Sequence, residues 1–382
     1  MTQYFPPGSK LGVLGSGQLG RMFAIAARRL GYGVHVFSPD ENSPTAQVAD
    51  REFVAEYDDL NAIEEFAQSV SVITFEFENV PAASTDVAQK FTRVDPCVEI
   101  LHLSQNRNRE KSSLAAMGIP VPKFEPVHSL DDLKQAVQKL GRPSVLKTAT
   151  MGYDGKGQTL IQPDTDLETL WPEYEGQESI LEQFVDFEME ISVVGARGRE
   201  GDFAACGPIQ NDHRNHILDV SVLPAMVSDA IAKQAIEVTR TVMSEIDVVG
   251  VLCIEFFVTS DGRLLVNELA PRPHNSGHLT IDACETCQFE QQVRAIAGLP
   301  LGQFNHHQPA AMVNLLGDEW EQGEPDWVEF TRQFPDVKIH LYGKEEPRPG
   351  RKMGHLTCLA ETGSVAAERV LQARELLTAR YR

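Results

Sequence analysis

Two glutamates, Glu255 and Glu268, lie in a segment whose sequence predicts a β-hairpin. Asp261-Gly262 is a strong turn signal, and apolar residues flank it on both sides. If these two residues form the centre of the turn, Glu255 directly faces Glu268, and Phe256 faces Asn267. Facing carboxylates among apolar residues repel each other and destabilise a sheet. We therefore expect a Mg²⁺ ion to bridge them, with nucleotide phosphate oxygens as further ligands. The alternative is that one glutamate is protonated or turns into solvent.

The hairpin runs directly into a proline-rich segment, Pro271-Arg272-Pro273-His274. Proline restricts its own backbone and that of the preceding residue, so the segment should be extended and stiff. Arg272 and His274 then project from a rigid platform beside the two glutamates. Such rigidity suits the orientation of a substrate anion through charge-assisted hydrogen bonds. An isolated histidine is usually structural, but one in this setting is a candidate functional residue.

A second hairpin is predicted around a glycine-rich loop that joins apolar strands at 145–147 and 159–161. Backbone N–H groups of such a loop can close over phosphates. It is not a Walker loop, because Lys156 is followed by Gly157 rather than Ser or Thr, and no helix follows. Lys147 ends an apolar strand, where its burial would be costly without an anionic partner. The alternative is an ordinary surface hairpin.

A second glycine-rich run, Gly15-Ser16-Gly17-Gln18-Leu19-Gly20, lies between a predicted strand and a predicted helix, with Asp40 twenty residues beyond Gly20. The spacing fits a dinucleotide-binding turn. The same glycines suit any phosphate at a helix N-terminus, or close packing of strand and helix. All three interpretations remain open from the sequence.

Two acidic residues, Glu76 and Glu78, follow the third predicted strand. Ligands of open parallel sheets bind beyond the carboxyl ends of the strands, so both acids lie where a substrate could bind. A solvated strand end is the alternative.

The net charge is −21 over 382 residues, with a sequence pI near 4.9. This charge is opposite to that of a surface built for nucleic acid or an anionic membrane. Clustered basic residues are therefore informative. One cluster, with Lys344, Arg348, Arg351 and Lys352, lies near the end of the chain. It predicts either an anion-binding patch or a solvated basic turn.

The first hundred residues alternate between strand and helix patterns. Strands are predicted at 10–14, 34–38 and 70–75, and helices at 18–30 and 60–68. This alternation is typical of parallel strands with crossover helices. A helix should open near Leu101 and end at Gly118, hairpins and helices mix up to about Leu301, and the tail should end in a helix over 365–381.

The N-terminal segment lacks the apolar core of a signal peptide, and no apolar run approaches the ~18 residues of a membrane helix. We therefore expect a cytoplasmic protein with reduced thiols. Among its six cysteines, Cys284 and Cys287 have metal-ligand spacing. They have no second pair, so their spacing is interpreted as chance.

Several runs of the sequence together resemble the ATP-grasp ligases, and among them the 5-(carboxyamino)imidazole ribonucleotide synthetase (PurK) family. They are GQLGRM, FEFENVP, GYDGKGQ, VNELAPRPHNSGH, CQFEQ, YGK and RPGRKMGH, and they span nearly the whole chain. The lid differs from the family, which usually has Arg and Gly where this chain has Ala149 and Met151. Weaker lid contacts to phosphate are therefore expected.

The resemblance implies an α/β and α+β protein with the ATP-grasp fold. It would comprise an N-terminal Rossmann-like (pre-ATP-grasp), substrate-binding domain at 1–105, an ATP-grasp domain at 106–302 with a lid subdomain at about 120–185, and a small C-terminal domain at 303–382.

The implied activity is the ATP- and bicarbonate-dependent carboxylation of the exocyclic amine of 5-aminoimidazole ribonucleotide. It proceeds via carboxyphosphate, releases ADP and phosphate, and belongs to purine (IMP) biosynthesis. ATP and Mg²⁺ or Mn²⁺ are the implied cofactors, with no nucleic acid or membrane partner, and the protein would be a cytoplasmic homodimer. One alternative is another ATP-grasp ligase, such as a formate-dependent glycinamide ribonucleotide transformylase. The other is a nicotinamide-dependent oxidoreductase, which would have no use for the facing glutamates.

Carried over residue by residue, the resemblance assigns each candidate a role. The catalytic candidates are Glu76, Tyr153, Asp154, Lys156, Arg272 and His274. The ATP-binding candidates are Arg107, Lys147, Tyr153, Asp154, Gly155, Lys156, Gly157, Gln158, Thr159, Glu182, Gln183, Phe184, Val185, Glu190, His213, Asn267 and Glu268. The substrate-binding candidates are Gly17, Gln18, Asn275, Ser276, Lys344, Arg351 and Lys352, and the metal ligands are Glu255 and Glu268.

Overall fold

The computed structural model describes residues 4–150 and 157–379, and its N-terminal part is a parallel five-stranded sheet in the order β3-β2-β1-β4-β5. The elements are β1 Lys10–Leu14, α1 Gln18–Arg29, β2 Gly33–Ser38, β3 Arg51–Val54, α2 Leu60–Gln68, β4 Val72–Phe75, α3 Ala82–Ala88 and β5 Arg93–Val94. The predicted alternation is confirmed. The prediction lacks β3 and β5, because strands of four and two residues carry little periodic signal.

Two short helices, rather than the single predicted one, lead into the next part of the chain. They are α4 Val98–Ser104 and α5 Arg107–Ala116. The break lies at Asn106, whose side-chain oxygen accepts a hydrogen bond from the Arg109 N–H at 3.1 Å. Asparagine is a favoured N-cap because this bond satisfies a backbone donor that the first turn leaves unpaired. The cap therefore starts a new helix and turns its direction.

A four-stranded antiparallel sheet in the order β6-β9-β7-β8 follows. Its elements are β6 Phe124–Val127, α6 Leu130–Leu140, β7 Ser144–Thr148, β8 Gln158–Ile161, α7 Leu167–Leu170 and β9 Ser179–Gln183. Strands β7 and β8 pair directly, which confirms the predicted glycine-rich hairpin.

The largest sheet has eight antiparallel strands in the order β14-β13-β10-β11-β12-β15-β17-β16. Its elements are β10 Phe187–Arg197, β11 Phe203–Arg214, β12 Ile217–Leu223, α8 Asp229–Glu245, β13 Gly250–Thr259, β14 Leu264–Ala270, α9 Thr280–Ala283, α10 Gln288–Ala297, β15 Ala310–Leu316, α11 Trp327–Gln333, β16 Lys338–Leu341, β17 Lys352–Leu359 and α12 Gly363–Ala379. The tail of the chain thus contributes three strands to the same sheet. Its last helix begins two residues before the predicted position.

Both faces of the large sheet are covered. Leu252 and Ile254 of β13 pack with Val242 of α8, whereas the alternate residues Val251 and Cys253 pack in a separate core on the other face. Helix α10 also packs against α1, so the parallel sheet is attached to the large one beside β13 and β14. Within the described part of the chain, no helix has both the length and the apolar character needed to cross a bilayer.

Candidate active site

Glu255 and Glu268 face each other across β13 and β14, as predicted. Their neighbours differ from the prediction, because Phe256 pairs with Val266 and not with Asn267. The register shifts by one residue between the two pairs, and Asn267 is the extra residue of a β-bulge.

The turn explains why the expected pairing of the glutamates held although that of Phe256 was wrong. The Thr259 N–H bonds to the Arg263 carbonyl, so the loop has three residues rather than two, and Gly262 takes a left-handed conformation with φ +78°. A three-residue loop alone would bring Asn267 opposite Glu255. The bulge at Asn267 compensates for the longer loop and returns Glu268 to that position.

The environment of the two carboxylates fits a divalent cation. Burial, followed by the charge of Glu268, raises the pKa of Glu255 well above its ordinary value. Arg107 Nη1 lies 3.6 Å from Glu268, and His274 Nε2 lies 3.3 Å from Glu255. The described residues contain no group of three or more His, Cys, Asp or Glu side chains that could hold a metal without help. Two carboxylates completed by substrate phosphates are the usual arrangement for Mg²⁺, which rarely has an all-protein cage.

The contacts of His274 fit a neutral ring with its proton on Nε2. Burial, and then the charge of Arg272, lowers the pKa of His274 well below its ordinary value. Nδ1 accepts the Ser276 backbone N–H at 3.3 Å, which leaves Nε2–H to donate toward Glu255. Ser276 is itself fully buried and its hydroxyl bonds to that of Ser192 at 2.8 Å. Ser276 therefore holds His274 in place.

Arg272 forms a two-pronged ion pair with Glu78, at 2.7 Å from Nε to Oε2 and 3.1 Å from Nη2 to Oε1. Burial lowers the pKa of Arg272, but Glu78 outweighs it and raises the pKa. The pair joins the end of β4 to the proline-rich platform after β14. Sequence reasoning places Glu78 near a substrate but does not find this contact, because the two residues are 194 positions apart.

The glycine-rich turn before α1 binds a carboxylate of its own chain. Glu76 accepts the Gly17 N–H at 2.5 Å and the Gly20 N–H at 2.9 Å. A Cβ atom at Gly17 would lie 2.7 Å from Glu76 Oε1, so glycine is needed for this close approach. The helix N-terminus that a dinucleotide phosphate would use is thus occupied by Glu76. This contact favours close packing over the dinucleotide interpretation, and Asp40 is exposed.

Lys111, which sequence reasoning missed, lies behind the nucleotide-binding candidates Lys147 and Glu182. Lys147 meets Glu182 at 2.7 Å, so its expected anionic partner is a carboxylate of the chain. Fully buried Lys111 lies 3.9 Å from the other oxygen of Glu182. Burial would raise the pKa of Glu182, but Lys147 and then Lys111 outweigh it and lower the pKa to about 2. The position of Lys111, four residues after Arg107 on a predicted helix, is the only signal in the sequence that could have suggested it.

Farther along the cleft, Glu190 and His213 meet at 2.6 Å between Oε2 and Nδ1. Burial opposes the charge on His213, but Glu190 outweighs it and raises the pKa of His213.

Most of the predicted residues line one cavity of about 1250 Å³. They are Gln18, Glu76, Arg107, Lys147, Gln158, Glu182, Gln183, Phe184, Val185, Glu190, His213, Glu255, Asn267, Glu268, Arg272, His274, Asn275 and Lys352. Six described candidates are not among its lining residues, namely Gly17, Gly157, Thr159, Ser276, Lys344 and Arg351. Tyr153, Asp154, Gly155 and Lys156, with Met151, lie outside the described residues.

The basic cluster of the tail lies beside Glu76. Lys344 Nζ donates to the Lys352 carbonyl at 2.8 Å, and Arg351 Nη1 donates to the Glu346 carbonyl at 2.8 Å. Burial, and then the charge of Arg351, lowers the pKa of Lys344 to about 8.

Three family models match the chain. An ATP-grasp domain matches residues 112–289, a ribonucleotide synthetase preATP-grasp domain matches residues 9–105, and a phosphoribosylaminoimidazole carboxylase C-terminal domain matches residues 310–369.

Curated relatives and solved structures agree with these matches. The chain is 43% identical over 359 residues to the N5-carboxyaminoimidazole ribonucleotide synthase of Bacillus subtilis, covering 94% of this chain and 93% of the relative. It is 43% identical over 353 residues to the synthase of Brucella melitensis, covering 92% and 96%. A crystal structure of an ADP complex of N5-carboxyaminoimidazole ribonucleotide synthetase superposes with a TM-score of 0.92 at 41% identity, covering 100% of both chains. The Aspergillus clavatus enzyme, in complex with ADP and 5-aminoimidazole ribonucleotide, gives 0.88 at 28% identity, covering 98% of this chain and 99% of that one.

Proposed function

This chain belongs to the family of N5-carboxyaminoimidazole ribonucleotide synthases, and from that premise we propose how its residues perform the ATP-dependent carboxylation of 5-aminoimidazole ribonucleotide in purine biosynthesis. A bicarbonate oxygen attacks the γ-phosphorus of ATP, which forms carboxyphosphate and releases ADP. The exocyclic amine of the ribonucleotide then attacks the carboxyl carbon, phosphate leaves, and the amine loses a proton. The observation that carries the proposal is the facing of Glu255 and Glu268 in the same cavity as Arg272.

Glu255 and Glu268, with the Asn267 side chain beside them, would hold Mg²⁺ or Mn²⁺ together with nucleotide phosphate oxygens. The raised pKa of Glu255 and the all-oxygen donor set support this assignment. When bound, the cation would neutralise charge on the phosphates of ATP.

The nucleotide would lie between the four-stranded sheet and the large sheet. Arg107 and Lys147 supply positive charge for its phosphates, and residues 182–185, at the end of β9, line the adjoining part of the cavity. Glu190 would accept the ribose hydroxyls. His213 Nδ1 contacts Glu190 Oε2 at 2.6 Å and would hold this carboxylate in place. The contributions of Tyr153, Asp154, Gly155 and Lys156 stay predictions from the resemblance, as do those of Gly157 and Thr159.

Arg272 would bind bicarbonate and the carboxyphosphate formed from it. Its rigid backbone and its pair with Glu78 fix the guanidinium before substrate arrives. Little entropy is therefore lost in orienting this group during the reaction. His274 supports the same region by donating to Glu255. Because its Nδ1 already accepts a backbone N–H, His274 has no lone pair free to take the proton of the amine. We assign this role to Glu76, a carboxylate that lines the cavity and whose pKa is raised by burial.

The ribonucleotide would lie between the end of the parallel sheet and the platform. Gln18 and Asn275 line this end of the cavity, and both polar side-chain atoms of Asn275 are buried without a hydrogen-bond partner among the described residues. A ligand that bonded to them would satisfy this amide. Lys344, Arg351 and Lys352 would meet the phosphate of the substrate.

A coupled ADP-release assay, with each substrate omitted in turn, tests the activity. ADP should form only when ATP, bicarbonate, a divalent cation and the aminoimidazole ribonucleotide are all present. ADP formation with formate and glycinamide ribonucleotide would indicate a different ATP-grasp ligase. Binding of NADH with no response to ATP would indicate an oxidoreductase.

The homodimeric state and the cytoplasmic location implied by the resemblance are also proposals. Sedimentation equilibrium tests the first: the measured mass should be twice the 42.3 kDa of one chain. A species at the mass of one chain at micromolar concentration would contradict it.

A further inference from the structure

Helix α5 lies along the outer edge of β14, the strand that carries Glu268. Strand β14 is the last strand on its side of the large sheet, so its outward backbone groups have no neighbouring strand. Buried backbone groups must find other partners. Arg107, Glu110 and Lys111 are spaced by three and four residues, so they share one face of α5 and can supply such partners.

Two of these side chains bind the backbone on either side of Glu268. Lys111 Nζ donates to the Val266 carbonyl at 3.1 Å and also to the Asn267 carbonyl. Glu110 Oε2 accepts the Leu269 N–H at 3.2 Å. The bulge is therefore held from outside the sheet, by side chains of another element.

Because Lys111 is fully buried, its ammonium group needs hydrogen-bond acceptors within the protein. Its side chain has 0% exposure, and an ammonium group is costly to bury unless its protons are bonded. The two carbonyls would in turn lose their partner if Lys111 were removed. Uninterrupted pairing from the three-residue turn would place Asn267 opposite Glu255, so these bonds favour the bulged register over the uninterrupted one.

The same ammonium group also connects two sheets. It lies 3.9 Å from Glu182 Oε1, and the other oxygen of Glu182 binds Lys147 of β7. Lys111 is not among the residues that line the cavity. It can therefore act only through the groups that it holds.

We propose that Lys111 is a positioning residue, which clamps the carbonyls of Val266 and Asn267 and so sets the bulge that brings Glu268 opposite Glu255. The inference rests on the proposed function in one respect, the assignment of Glu255 and Glu268 as ligands of the divalent cation. Its effect should appear mainly in metal-dependent nucleotide binding, because Glu182 keeps its shorter ion pair with Lys147 when Lys111 is replaced.

The test is calorimetric titration of the full-length protein with ADP, with and without Mg²⁺. In the wild type, Mg²⁺ should tighten ADP binding. Lys111→Met keeps most of the side-chain volume but removes the donors. We expect it to weaken ADP binding in the presence of Mg²⁺ about tenfold or more, while the Kd for ADP without Mg²⁺ changes less than about threefold.

Three further variants separate positioning from general stability. Leu114→Ala removes a fully buried core side chain from the same helix and should lower Tm. Mg²⁺ should still tighten ADP binding in this variant as much as in the wild type. Lys111→Arg keeps the charge and the donors and should retain most of the tightening of ADP binding by Mg²⁺. Lys111→Gln, which keeps an amide donor without the charge, replaces the Met variant if that variant does not fold.

Hydrogen exchange of the backbone amides in β14 gives a second readout. Exchange there should accelerate in Lys111→Met and not in Leu114→Ala. The proposal would be overturned if Mg²⁺ tightened ADP binding in a folded Lys111→Met as much as in the wild type. It would also be overturned if Leu114→Ala weakened the effect of Mg²⁺ equally, or if neither Lys111→Met nor Lys111→Gln folded. A wild-type protein that binds ADP equally with and without Mg²⁺ would instead refute the metal assignment itself.

Discussion

Carboxylates of the same cavity have opposite pKa shifts, and their neighbours explain the difference. Two ammonium groups face Glu182 and lower its pKa to about 2. Burial, and then the charge of Glu268, raises the pKa of Glu255. The charge of Glu182 is already balanced by two lysines of the chain. The facing carboxylates of Glu255 and Glu268 would be stabilised by a bound cation. The contrast supports the proposal that the metal binds at Glu255 and Glu268.

Glu268→Gln should keep the fold but lower kcat about a thousandfold or more, because it removes a charged oxygen from the metal site. Steady-state ADP release measures the loss, and circular dichroism checks the fold. Glu175→Gln, at an exposed glutamate outside the cavity, is the matched control and should be unaffected. Wild-type turnover in Glu268→Gln would refute the metal assignment.

The pH dependence of substrate capture should report Lys344. With a pKa of about 8, this lysine is protonated below that pH and loses its charge as the pH rises through it. An anionic substrate binds the charged form, so kcat/KM for the ribonucleotide should fall above about pH 8. Lys344→Arg, which stays charged, should shift the fall to higher pH. An identical pH profile in the two proteins would show that Lys344 does not contact the substrate phosphate.

At the scale of elements, short connections set the positions of the charged groups. The turn before α1 directs backbone N–H groups at Glu76, and the bulge in β14 moves Glu268 by one residue. In each case a local feature is completed by a side chain from elsewhere in the chain. At Gly17 the close approach of Glu76 leaves no room for an added Cβ.

Gly17→Ala should disturb Glu76, because the added Cβ would lie 2.7 Å from Oε1. We expect kcat/KM for the ribonucleotide to fall about tenfold, the effect of losing one hydrogen bond to a charged group. The Kd for ADP should stay unchanged, because Glu76 belongs to the ribonucleotide end of the proposed site. Ile25→Ala, at an exposed position of α1, is the control. A loss of ADP affinity in Gly17→Ala would contradict this placement of Glu76.

At the scale of the molecule, the cavity forms where three sheets meet. The parallel sheet is linked to it by the pair of Glu78 with Arg272, and the four-stranded sheet contributes Lys147 and Glu182. Packing of α1 on α10 holds the parallel sheet in this position, with Phe23 and Phe289 in one buried cluster. The geometry of the site therefore depends on core packing remote from the chemistry.

Phe289→Ala should lower the free energy of unfolding by about 3–5 kcal/mol, because it removes a buried aromatic side chain from that cluster. Urea denaturation followed by fluorescence measures the change. Val328→Ala, at a 68% exposed position, should change it by less than about 0.5 kcal/mol. A loss below about 1 kcal/mol in Phe289→Ala would show that this packing contributes little to holding the sheets together.

Local patterns were sufficient to predict the alternation of strand and helix in the first hundred residues, the two hairpins and the facing of Glu255 and Glu268. They also singled out Glu76, Lys147, Arg272 and His274, all of which line the cavity. These features follow from periodicity, turn chemistry and motif spacing, which act over a few neighbouring residues.

Contacts between distant segments could not be predicted in this way. The bond from Gly17 to Glu76 spans 59 positions, the pair of Glu78 with Arg272 spans 194, and the contact of Lys111 with the Val266 carbonyl spans 155. Helix α5 supports the bulge at Asn267, and that support arises only when the helix packs against an edge strand. Local sequence dictates which groups are available, whereas the packing of separate elements decides which of them meet, because burial pairs groups without regard to their distance along the chain.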